Sequence, residues 1–168
     1  MQGARPIRLT IKNIFANLPY YWLTVAILPY ALLRAENSFG IVRTTSTILR
    51  IEALILGVAG AALQGWCIVL LQRAGQGTPS PVFPTRGLVV AWPYRILRNP
   101  LNLGELMVLA SLAAWFSSLA LLICLLLAFL ALPLFVVVWE EPANCRRFGE
   151  EFRRYAASVN WWVPRMGV

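Results

Sequence analysis

Three runs of this chain contain no Asp, Glu, Lys or Arg: Ile14 to Leu33, Ala53 to Gln72, and Leu106 to Trp139. A helix of roughly 20 apolar residues, rising ~1.5 Å per residue, spans the hydrocarbon core of a bilayer. The first two runs have that length. The third is too long for one crossing and holds two only if a tight turn divides it, for which Trp115, Ser117 and Ser118 supply an interfacial aromatic and two turn-tolerant residues. The chain therefore reads as an all-α polytopic membrane protein with four membrane helices, the last two a close hairpin. A 59% hydrophobic composition with 13% charged residues and a mean hydropathy of +0.66 fits no ordinary soluble domain.

Arg5, Arg8 and Lys12 would also suit the basic start of a signal peptide, but no small-x-small cleavage site follows. Pro19, Tyr20, Tyr21 and Trp22 fit the interfacial start of a retained helix better. With four crossings, the N-terminus, the middle linker and the tail share one side. They carry Arg5, Arg8, Lys12, Arg73, Arg86, Arg95, Arg98, Arg146, Arg147, Arg153, Arg154 and Arg165, against Arg34, Arg43 and Arg50 opposite. The positive-inside rule places the richer side, and both termini, in the cytoplasm. Anionic headgroups account for the net charge of +8, and no nucleic-acid partner is expected.

The chain has no histidine, which removes the usual imidazole base and most zinc and haem sites. Cys67, Cys124 and Cys145 form no CxxC pair, so no metal is expected. Neither GxGxxG after a strand nor GxxxxGK[ST] occurs, and there is no internal repeat. The chemistry has to come from two polar stretches. The linker "GQGTPSPVFPTRGLVVAWPYR" has proline at close intervals, which forbids a helix and stiffens the chain into an extended path. Pro93 and Pro100 bracket "YRILR", about one helical turn. Pro100 suits the first position of the next helix, with Asn99 placed to cap it.

The tail reads "EEPANCRRFGEEFRRYAASVNWWVPR". Phe148, Phe152, Tyr155 and Val159 fall on one helical face and charged residues on the rest, as in an amphipathic interfacial helix closed by a Trp161–Trp162 anchor. Glu140 and Glu141 differ from the other acids, since they end an apolar run where a carboxylate needs a partner. By topology they emerge beside Arg95 and Arg98.

These residues carry a resemblance. "LVVAWPYRILRNPLNLG" and "EEPANCRRFGEEFRRY" resemble the paired signatures of the isoprenylcysteine carboxyl methyltransferase family and its relatives among the membrane phospholipid methyltransferases, GPYRxxRHPxYxG and EExxLxxxFGxxYxxY. The likeness covers Gly75 to Pro164, about half of the chain. It implies methyl transfer from S-adenosylmethionine to a lipophilic acceptor, in a pocket at the cytoplasmic ends of the last helices, within one domain whose cofactor-binding part is 73–168. Leu88, Val89, Tyr94, Asn99, Pro100, Asn102 and Glu140 then stand where the family binds its cofactor. The chain departs from the pattern at Trp92, Asn102, Asn144 and Phe152, which leaves the acceptor undefined.

The residue chemistry agrees with that implication. Arg95 or Arg98, with the amides opening the helix at Pro100, suits the cofactor's carboxylate. Glu140 suits its ammonium or ribose hydroxyls, and Tyr94 with the Leu88 to Val90 run suits its adenine. Catalysis itself falls to Glu141 and Arg98, with Glu141 or the substrate taking a proton where the acceptor has one to lose. The other reading is a non-catalytic membrane subunit that binds headgroups, in which Tyr94, Asn99 and Glu140 would face lipid or cytoplasm separately.

Overall fold

The computed structural model describes residues 26–79 and 84–161, which form helices and loops with no strand among them, as the sequence leads one to expect. The helices are α1 (Leu28–Ser38), α2 (Thr47–Arg73), α3 (Pro100–Phe116) and α4 (Leu119–Phe135), which continues through a π-helical segment, Val136–Glu140, into α5 (Glu141–Phe148), and then α6 (Glu150–Ser158). Most of the first apolar run lies outside the described residues, as do Arg5, Arg8, Lys12, Pro81, Trp162 and Arg165; only the end of that run is seen, in α1.

Among the described residues two helices are long and apolar enough to cross a membrane, α2 with 27 residues and the continuous Leu119–Phe148 helix with 30. Ile51, Leu54, Ile55 and Val58 on the first, and Leu126, Leu127, Leu130 and Leu134 on the second, are exposed. Continuous apolar faces of this size are lipid-facing surfaces, because a helix already satisfies its backbone groups internally and asks only for an apolar solvent outside. The protein is membrane-associated.

The third apolar run divides at the expected turn. Ser117 takes a left-handed conformation, φ +46°, and the Ser118 hydroxyl caps α4 by accepting from the Leu121 amide at 3.1 Å. Glu36 of α1 reaches the same turn and accepts from the Ala120 amide at 2.7 Å. A buried carboxylate at a helix N-terminus meets both free amides and the positive end of the helix dipole, and Arg43 completes its neutralisation at 3.4 Å.

Helices α2 and α3 approach closely because small residues line their contact. A Cβ added at Gly60 would lie 2.8 Å from the Gly104 carbonyl, and one at Gly57 2.5 Å from the Ser111 hydroxyl. Ser111 donates to the Ala53 carbonyl across the same seam at 2.7 Å.

Two irregularities aim the polar end of the long helix. Pro133 lies inside α4 without an amide hydrogen to give, and the π-helical turn that follows absorbs the disruption and carries Glu140 and Glu141 out of strict α-helical register. At Gly149, φ +56° and ψ −130° break the chain between α5 and α6. A Cβ there would touch nothing, so the backbone conformation alone calls for glycine.

The linker avoids regular helix, as its prolines require, but it doubles back on itself instead of running straight. Arg86 and Gly87 donate to the Gly75 carbonyl at 2.7 and 3.1 Å, and Gly77 donates to the Leu71 carbonyl at 3.1 Å. Gly77 permits the fold-back, since a Cβ there would lie 2.5 Å from the Thr85 backbone.

Candidate active site

The linker is fastened on two sides, and alternate residues do the fastening. Val89 packs into a buried cluster with Cys67 of α2 and Tyr94, bordered by Leu63, Leu70, Leu71 and Leu101. Leu88 packs the other way, onto Phe152, Tyr155 and Val159 of the tail. In extended chain, neighbouring side chains point to opposite faces, so two adjacent residues bind the linker to α2 and to α6. The amphipathic face of α6 is thus turned onto the linker. The Trp66 indole of α2 adds a hydrogen bond to the Trp92 carbonyl at 3.1 Å.

The stretch "YRILR" makes the single helical turn expected of it, with Ile96 and Leu97 donating to the Pro93 carbonyl at 3.0 and 3.1 Å. Tyr94 is buried within this turn. Its phenol is hydrogen-bonded with the Cys67 thiol, and its carbonyl accepts from the Tyr155 hydroxyl at 2.7 Å. Burial, reinforced by Cys67 and by the nearby Glu140 carboxylate, pushes the Tyr94 phenol far above its ordinary range. Burial likewise raises the Tyr155 phenol, against an opposing pull from Arg98. Both hydroxyls act as neutral hydrogen-bonding groups, Tyr155 as a donor to the Tyr94 carbonyl.

Arg98 ties the three segments together. Its Nη1 meets Glu141 Oε1 at 2.5 Å, its backbone amide donates to the Asn160 carbonyl at 3.0 Å, and its guanidinium lies 5.2 Å from the centre of the Trp161 ring. The pair is half-buried, at 17% and 24% side-chain exposure, where a charge-assisted bond is stronger than on an open surface. Two donors beside it, Arg98 Nε and Trp161 Nε1, are buried and have no acceptor among the described residues. Unmet N–H groups in such a place are costly unless a ligand completes them.

Of the residues singled out from the sequence, Tyr94, Val89, Asn99 and Pro100 are buried, and Leu88, Arg98, Asn102, Glu140 and Glu141 are partly buried. Glu140 lies near enough to act on the Tyr94 phenol and forms none of the ion pairs among the described residues. Arg95 is exposed, so of the two arginines weighed for an anion only Arg98 lies within the cluster. Asn99 corrects the expectation placed on it. Pro100 does open α3, but the Asn99 side chain makes no capping bond, because its φ of −124° and ψ of 58° depart from the extended geometry of a cap. Val89 and Tyr94 pack together with Cys67 in one buried cluster. Tyr94 and Asn99 are buried, and Glu140 is partly buried near the Tyr94 phenol.

Sequence reasoning missed Cys67, Tyr155, Asn160 and Trp161 as members of this cluster. Tyr155 was legible in part, since a hydroxyl on the apolar face of an amphipathic helix needs a buried acceptor. Trp161 reads as a membrane anchor until Arg98 is seen over its ring.

A family model described as phospholipid methyltransferase matches residues 49–151, well over half of the chain, from the first turn of α2 to the start of α6. No curated protein and no solved structure gives a significant match.

Proposed function

For a chain that belongs to the phospholipid methyltransferase family, we propose transfer of a methyl group from S-adenosylmethionine to the headgroup of a membrane lipid. The family makes it a methyltransferase acting on membrane lipid; the donor and the details of the site are our reading. The observation that carries the reading is the meeting at Arg98 of the linker motif, the carboxylate end of the long apolar helix and the tail.

The residues fit such a cofactor. Arg98 Nε and Trp161 Nε1 are two buried donors in want of an acceptor, which the cofactor's carboxylate would supply. Glu140, outside every ion pair among the described residues, suits the ammonium or the ribose hydroxyls. Tyr94 and Leu88, with Asn99, Pro100, Asn102 and Val89, would supply the apolar and amide-bearing groups around the adenine and methionine parts. When bound, the cofactor supplies a methyl on a sulfonium whose positive charge disappears during transfer. The chain's contribution is alignment of the reactants and exclusion of water, worth on the order of 7 to 11 kcal/mol for well-oriented partners. Arg98 holds Glu141 in place, and that carboxylate receives the proton of an acceptor that has one to lose.

Within this reading the chain crosses the membrane four times, with both termini and the site in the cytoplasm, and the acceptor enters laterally from the bilayer. Single cysteines at Ser38 and Gln76, both exposed, test the topology with Cys124 and Cys145 replaced and the fully buried Cys67 retained. They should label from opposite sides; labelling from one side refutes it. The activity is tested by incubating the purified protein, in nanodiscs containing phosphatidylethanolamine and phosphatidylglycerol, with methyl-labelled S-adenosylmethionine. Label should appear in the lipid fraction, and the Arg98→Leu variant should leave it at background.

A further inference from the structure

The face of α2 turned toward α3 uses Ala53, Gly57, Gly60, Gln64 and Cys67, at the three- and four-residue spacing of one helical stripe. Four of these are explained by the packing. Ala53 accepts from Ser111, Gly57 and Gly60 permit close approach, and Cys67 contacts Tyr94. Gln64 is different. It is 8% exposed, its side chain lies so closely over Gly104 that a Cβ there would be 2.7 Å from Gln64 Cγ, and its amide nitrogen is buried without a partner.

An amide that glues two membrane helices donates across the seam, as the Ser111 hydroxyl does. The Gln64 nitrogen has no such acceptor among the described residues, and within the hydrocarbon of a bilayer no water would stand in for one. It sits one turn from Cys67, which packs with Tyr94, and against the second turn of α3. The cofactor-directed groups come from the linker, the π-helical end and the tail. Within the methyl-transfer reading the acceptor comes from the lipid, and α2 turns an exposed apolar face, with Ile51, Leu54, Ile55 and Val58, to that side.

We propose that Gln64 is a specificity-determining residue whose side-chain amide donates to an oxygen of the acceptor lipid, of the kind an ester carbonyl provides where a polar head joins its acyl chains. This rests on the methyl-transfer reading. Gly104, the last residue of the "NPLNLG" motif, has a role in it, since any side chain there would displace the glutamine.

The experiment compares the full-length parent with Gln64→Leu, which keeps the volume and removes the amide. Dioleoylphosphatidylethanolamine and its ether-linked counterpart, which lacks ester carbonyls, are titrated into the detergent-solubilised proteins while thermal unfolding is followed. The parent should be stabilised at a lower concentration of the ester lipid than of the ether lipid, by about threefold to tenfold, the size of one neutral hydrogen bond. Gln64→Leu should lose that difference, keep S-adenosylhomocysteine affinity within about twofold of the parent, and unfold without lipid at the parent's temperature or above. A parent that does not distinguish the two lipids overturns the proposal. So does a variant that keeps the difference, weakens S-adenosylhomocysteine binding, or unfolds at a lower temperature without lipid. If Gln64→Leu does not fold, Gln64→Met takes its place, and failure of both marks the amide as structural. A parent that binds no S-adenosylhomocysteine defeats the methyl-transfer reading, while the lipid comparison still decides the role of Gln64.

Discussion

The hydroxyl of Tyr155, in the last helix of the tail, donates a 2.7 Å hydrogen bond to the main-chain carbonyl of Tyr94 in the linker, 61 residues away, and both residues are buried. This bond closes the tail over the site. Tyr155→Phe keeps the ring in its cluster with Phe152 and Val159 but leaves a buried carbonyl without a donor. The loss should be about 1 to 3 kcal/mol, read as a lower unfolding temperature in detergent together with weaker S-adenosylhomocysteine binding. An unchanged unfolding temperature would show that the tail is not held by this bond.

Glu140 and Glu150 are both glutamates of the second motif, in different settings. Glu150 pairs with Arg153 on the open surface, where ion pairs contribute little. Glu140→Gln should reduce cofactor affinity by about 1.5 to 3 kcal/mol with little change in unfolding temperature, whereas Glu150→Gln should leave both unchanged. Equal affinities in the two variants and the parent remove Glu140 from the site.

Asn99 offers a sharper test now that its side chain is known not to cap α3. A capping residue tolerates exchange among Asn, Asp and Ser. Here Asn99→Asp should lose most of its cofactor affinity, since it adds a negative charge beside the cofactor's carboxylate, and Asn99→Ser should lose affinity through short reach. Neither should lower thermal stability by as much as a lost cap would. Normal binding by Asn99→Asp makes the residue part of the loop and nothing more.

Glu36 sets an acid limit on stability. It lies beyond the charge-free run that ends at Leu33. Burial alone pushes its carboxyl up, but the Ala120 amide, the Ser118 hydroxyl, Arg43 and the Leu119 amide outweigh that and hold it below the ordinary 4.5. A carboxyl lowered in the folded state contributes stability that is full above the unfolded value and is lost as the pH falls through the folded one. Unfolding temperature should therefore be flat from pH 7 to about 5 and fall in more acid solution, and Glu36→Gln should be less stable at pH 7 with a weaker acid decline. A parallel decline in both proteins assigns the effect to other groups.

The parts legible in the sequence are those set by local chemistry. Runs without charge gave the long apolar helices, Ser117 and Ser118 the hairpin turn, and Pro100 the start of α3. The two motifs singled out Tyr94, Arg98, Glu140 and Glu141 as candidates for the proposed site. What stayed hidden depends on partners remote in the chain. Glu36 looks like a loop acid until the turn at Ala120 folds against it, and Gln64 looks like an incidental polar residue until Gly104 is placed beneath it. The conformation of Asn99 was beyond a capping rule, because its neighbours Arg98 and Pro100 are both fixed by other contacts.

The most direct test of a methyl-donor site built around Arg98 is calorimetric titration of S-adenosylhomocysteine into the purified protein, alongside Arg98→Lys. Lysine keeps the charge but has neither the Nε–H nor the planar group that lies over Trp161. Saturable binding with one molecule per chain is expected for the parent, weakened by roughly tenfold or more in Arg98→Lys, the size of a lost charge-assisted bond. Absence of binding to a folded parent, or equal affinity in the two proteins, would contradict a cofactor site at Arg98.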